Sequence, residues 1–119
     1  MTRDYRLFVK DIMEAIQDLE AFVGDMDFDS FQADRKTMSA VAWRLEVIGE
    51  AAKNIPAAIR GKYKELPWKD MAGMRDKTSH FYFGIDLKIV WEVVRKKLPV
   101  VKPVIQKMLD ELKENGDIE

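Results

Sequence analysis

The sequence predicts an all-α fold, an antiparallel bundle of four or five helices, and three observations carry that prediction. Apolar residues recur at three- to four-residue steps through several long windows. No segment shows the period-two alternation and β-branched clustering of a strand. The windows are separated by brief Gly, Pro and Asp punctuation, with no linker, repeat or low-complexity tract between them. With 119 residues and 47% apolar content, the chain is long enough to bury a core as a single domain over 1–119.

In the first window Tyr5, Phe8, Ile12, Ile16, Leu19 and Val23 form the stripe of an amphipathic helix, with Arg3, Lys10, Glu14 and Asp18 between them. It should stop near Gly24, because GDMDFDSFQAD is rich in residues that favour turns and caps over helix interiors. Asp29 or Asp34 can cap the next helix. That helix carries Met38, Val41, Ala42, Leu45, Ile48, Ala52 and Ile55 on one stripe, and Trp43 and Val47 widen it, as expected of a central helix. Pro56 ends it; Ala57 to Tyr63 predict a short helical turn, and Pro67 opens a helix running from about Trp68 toward His80. After Gly84, Asp86 can cap a helix with Ile89, Val90, Val93, Val94 and Leu98, which Leu98-Pro99 should interrupt. A last helix follows from Val101, Val104, Ile105, Met108, Leu109 and Leu112, provided that Pro103 lies in its first turn.

Composition narrows the function. The absence of cysteine excludes a disulfide framework, a Cys-based zinc site and a thiol nucleophile. No apolar run approaches the roughly 18 to 20 residues that span a bilayer, and MTRDYRLFVKDIMEA lacks a signal-peptide core, so the expectation is a cytoplasmic protein without a membrane partner. Twenty basic residues against 21 acidic ones leave a formal charge of −1, so any nucleic-acid contact must come from a local basic patch.

His80 is the single histidine, and the side chain type is the one that exchanges protons near neutrality. Arg75, a permanent planar cation suited to phosphate oxygens, stands five residues before it, and Tyr82 two residues after. On an ideal helix five residues rotate about 140°, which would separate Arg75 from His80. The pair can converge only if the helix ends or loosens around Lys77 to Ser79. Phosphodiester cleavage needs both a base and an acid, and a two-fold homodimer would bring two His80 and two Arg75 to one cleft.

Arg75-x4-His80-x-Tyr82, followed by FGID and preceded by ADRKT, RLEVIGEAAK and the Pro67-Trp68 pair, resembles the HepT-like toxins of the HEPN superfamily over nearly the whole chain. The resemblance implies a HEPN-like helical domain and a metal-independent endoribonuclease with no cofactor, whose Arg75 and His80 line a cleft at a homodimer interface. Asp76 matches the polar residue that usually follows the arginine. A separately encoded minimal nucleotidyltransferase would act as antitoxin and can transfer AMP to Tyr82. A bulky anion there would repel an RNA phosphate.

Each candidate also has a plainer reading. His80 can be a structural hydrogen-bonding residue, and Tyr82 can pack beside Phe81 and Phe83 with its hydroxyl bonded. Glu46 and Glu50, one turn apart, suit a solvated face, or Glu50 a partner that holds Arg75, better than a metal site. Lys69 and Lys77, with Arg60, Lys62 and Lys64, either track an RNA backbone or form the wet face of short helices. Arg95, Lys96 and Lys97 suit a helix C-terminus, where the dipole favours cations. The three tryptophans suit core or dimer surface better than base stacking. The competing functional class is a non-catalytic helical dimer that binds a nucleotide or a nucleotidyltransferase partner.

Overall fold

A computed structural model of the chain describes residues 3–74 and 87–114. All regular structure among the described residues is helical, as the periodicity predicts. Helix α1 (Tyr5–Val23) begins where the Asp4 carboxylate accepts the Arg6 N–H, and ends at Gly24, whose φ of 47° is costly for a residue with a Cβ. Its stripe of Val9, Ile12, Met13, Ile16, Leu19 and Val23 is buried.

The Asp-rich connection is more ordered than its composition predicts, because it contains the short helix α2 (Phe28–Ala33). Asp27 caps it by accepting from the Ser30 N–H at 2.8 Å, and Phe31 plugs into the core with no exposed surface. Six residues are too few for a periodic signal, so the pull of one buried ring decides this element. Asp29 lies within α2, and the capping role passes to Asp34, which accepts from the Thr37 N–H at 3.0 Å and opens α3 (Arg35–Lys53). Asn54 closes α3, its side-chain amide donating to the Glu50 carbonyl at 2.8 Å.

Two short helices follow, α4 (Ala57–Lys62) and α5 (Trp68–Ala72). Pro67 is the cap residue of α5, and the helix expected to run from Trp68 toward His80 stops at Ala72, where the Gly73 N–H closes it on the Lys69 and Met71 carbonyls. The C-terminal part, α6 (Leu87–Glu92), a wide π turn (Val93–Lys97) and α7 (Leu98–Glu114), is one continuous helical rod. The expected break at Leu98-Pro99 is absent, and Pro103 lies inside α7. In the π turn the Leu98 N–H reaches back to the Val93 carbonyl. A proline ring presses on the carbonyl four residues earlier. For Pro99 that carbonyl is Arg95's, within the widened turn, where the backbone has already opened to make room.

Helix α1 packs on both α3 and α7, while α3 also meets α2 and α5. Helix α3 thus has the central position its wide stripe predicts, and α1 shares it by joining α3 to α7. Arg44 lies in the seam between α1 and α3: it is only 7% exposed, and its Nη2 meets Asp18 of α1 at 3.0 Å. Pairing offsets part of the desolvation cost of a guanidinium in the seam. Trp43, one position earlier, is turned outward and remains 58% exposed.

Candidate functional site

Helix α5 delivers the chain to the Arg75 motif. Trp68 is buried and donates its indole N–H to the Tyr63 carbonyl at 3.0 Å, Met71 is fully buried, and Met74 is buried in the same core. Because α5 packs on α3 and Met74 is buried, the last described residues before the motif are anchored in the core. Arg75, Asp76, Lys77, His80 and Tyr82 themselves lie outside the described residues.

Glu50 and Lys69 are described, and both are exposed. Glu50 stands on the outer face of α3 with Trp43, Glu46 and Val47 around an open depression of about 430 Å3. Both carboxylates there have polar or electrostatic contacts, so neither is idle on the surface. Lys69 lies on α5, and Lys62 and Lys64 are exposed beside it in sequence, whereas Arg60 is half-buried with its Nε atom enclosed. Among the described residues no three His, Asp or Glu side chains converge as metal ligands would.

In the remaining basic cluster Arg95 is structural, while Lys96 and Lys97 are exposed. Arg95, in the π turn, donates to the carbonyls of Gly24, at 3.0 Å, and Met26, and its guanidinium lies 4.7 Å from the Trp91 ring centroid. A cation at a helix C-terminus is the expected arrangement, but the helix is α1 and not Arg95's own, since the rod continues past Lys97. Trp91 is held between this cation and the rings of Phe28 and Phe31, the latter at 5.0 Å.

Two smaller clefts hold less chemistry. One of about 160 Å3 between α1 and the rod is lined by Ile16, Leu19, Val94, Leu98 and both prolines, and its two charges, Glu20 and Lys102, neutralise each other at 2.7 Å. The other, beside Tyr5 and Lys62, contains Tyr63, which donates to the Glu111 carboxylate. Burial and then that carboxylate push the Tyr63 hydroxyl up to about 12, so it remains protonated and serves as a clasp between the α4 end and α7.

Glu50 and Lys69 stand on exposed surface, and Trp43, for which the sequence leaves core and dimer surface open, is exposed as well. The signal was present: Ala40, Trp43 and Val47 repeat at three and four residues on the side of α3 opposite Val41, Leu45, Ile48 and Ala52.

The family model described as ribonuclease HepT-like matches residues 12–108, a span that contains α1 from its second turn, the Arg75–Tyr82 motif and most of the rod. The chain belongs to the HepT-like ribonuclease family. It is 42% identical over 108 residues to a probable ribonuclease HepT of Thermococcus cleftensis, covering 91% of this chain and 98% of that one. A candidate RNase of Methanocaldococcus jannaschii is 50% identical over 97 residues, 82% of this chain and 80% of its own length. One from Caldanaerobacter subterraneus subsp. tengcongensis is 36% identical over 108 residues, 91% and 96% of the two chains. No solved structure matches. Ribonuclease is thus the enzyme class of this HepT-like chain, RNA is its substrate class, and the all-α bundle agrees with that family.

Proposed function

We propose that this HepT-like chain is the endoribonuclease toxin of a toxin–antitoxin pair, a single domain over 1–119 that acts in the cytoplasm as a homodimer without metal. The observation that supports this reading best is the presence of Arg75, His80 and Tyr82, in the spacing of the motif, inside the 12–108 span that matches the ribonuclease family. In this reading the substrate's own 2′-oxygen attacks the adjacent phosphorus. One His80 takes the 2′-proton, the bond to the 5′-oxygen breaks, and His80 of the partner subunit supplies the proton that the leaving oxygen needs. Arg75 stabilises the charge that develops on the phosphorane oxygens, and the products are a cyclic phosphate and a 5′-hydroxyl.

Asp76 and Glu50 orient Arg75, and Lys69 and Lys77 follow the RNA backbone. Control falls to a cognate minimal nucleotidyltransferase antitoxin that transfers AMP to Tyr82, which places a phosphate where the RNA backbone would lie. RNA cleavage by purified, unmodified protein should persist in EDTA and leave cyclic-phosphate ends. His80→Ala should lower the rate by about 10²- to 10⁴-fold. Cleavage that stops in EDTA, or that survives His80→Ala, would refute this mechanism.

The formal charge of −1 favours a second reading, since it provides no general attraction for RNA. There the cleft of a non-catalytic dimer holds a nucleotide or the nucleotidyltransferase. His80→Ala would then weaken partner binding with no nuclease activity to lose.

A further inference from the structure

The outer face of α3 is built to be covered. Of the three tryptophans, Trp68 is buried, Trp91 is held by Phe28, Phe31 and Arg95, and Trp43 alone stands 58% exposed. Its indole is not a loose surface ring. The buried Arg44 guanidinium, tied to Asp18, lies 4.7 Å from its centroid and backs it from the protein side. A rigidly backed Trp beside half-buried Ala40 and Val47 has the composition of an interface anchor.

The order of residues along this face names the occupant. Within the span 36–50 the outward positions are Lys36, Ser39, Ala40, Trp43, Glu46, Val47 and Glu50. The face is basic at its start and acidic at its end, with Trp43 at the midpoint. If a second α3 lies antiparallel with the two-fold axis at Trp43, residues equidistant from 43 meet. Seven positions away on either side, Lys36 opposes Glu50; four away, Ser39 opposes Val47; three away, Ala40 opposes Glu46. Each terminal contact then joins opposite charges, small residues accept the larger neighbours, and the two indoles meet at the centre. A parallel pairing would set Lys36 on Lys36 and Glu50 on Glu50.

We infer that the homodimer axis passes through Trp43, with the α3 helices antiparallel and Lys36 of each chain paired with Glu50 of the partner subunit. The inference rests on the dimeric reading above and adds a surface and a register to it. It also links the interface to the proposed site, because a carboxylate has two oxygens and can accept from a lysine across the axis while it orients a guanidinium within its own chain.

The test is mass by sedimentation across a concentration series. Wild-type protein should be a dimer, and Trp43→Glu should weaken it by at least about 30-fold while retaining its helical circular dichroism. Val100→Glu, at a site 72% exposed on α7, should leave the dimer intact. Lys36→Glu should weaken association about 3- to 10-fold, and Lys36→Glu combined with Glu50→Lys should restore it, because the swapped charges meet again across the axis. A wild-type dimer that survives Trp43→Glu, or a double variant no tighter than Lys36→Glu, overturns this register and leaves the dimeric reading standing. A wild-type monomer overturns both.

Discussion

Helix α1 and the C-terminal rod each bury an apolar stripe, but they do so by opposite routes. Helix α1 is locally self-consistent: an Asp cap, an unbroken amphipathic period, and a glycine at the positive φ that ends it. The rod contains two prolines and a π turn. Its continuity is imposed from outside, by α1 along α7, by Phe28 and Phe31 against Trp91, and by Arg95 bound to the carbonyls that end α1. A helix with strong local signals needs its neighbours for stability. A helix with weak ones needs them for its shape as well.

The largest expected effect comes from cutting the tie between the two regions. Phe31→Ala removes a fully buried ring from the joint with Trp91 and should cost about 3 to 5 kcal/mol in urea unfolding. Hydrogen exchange should rise more across 87–97 than across α1. Equal loss of protection in both would erase the distinction between them.

A smaller effect of opposite sign is expected within the rod. Pro103→Ala restores an amide inside α7 and should stabilise the protein by about 1 to 3 kcal/mol. A neutral or destabilising result would show that Pro103 is needed to hold the rod's register against α1.

The smallest effect concerns the clasp at the other end of the rod. Tyr63 is raised from 10.0 to about 12 by burial and by Glu111. A raised folded value means that the neutral hydroxyl is favoured in the folded state. Its contribution is complete below about pH 10 and is lost as pH rises toward 12. Urea midpoints of wild type should therefore fall more steeply through that window than those of Tyr63→Phe. Parallel curves would mean that the clasp contributes nothing to stability.

The same contrast explains how much was legible beforehand. The stripes of α1 and α3, the stop at Gly24 and the cap at Asp34 depend on contacts within a few residues, and each stands where the pattern predicts. Helix α2 is too short to leave a period, and Pro99 reads locally as a break because the widened turn before it forms against α1 and Trp91. At the candidate site, Glu50 and Lys69 occupy exposed surface as expected, and the burial of Met74 in the core is new. The motif's own residues, Arg75 to Tyr82, are known here from their spacing and from the family to which the chain belongs.

By itself, the sequence determined the all-α class, the principal helices and the motif that marks the family, because periodicity, caps and residue order are one-dimensional properties. Only the tertiary structure decided that Arg44 goes inside while Trp43 stays out, that α1 joins α3 to α7, and that the rod runs through its prolines. Each of those outcomes is a competition between neighbours distant in sequence. The Asp18 carboxylate draws the Arg44 cation into the seam, and the indole beside it is left facing outward.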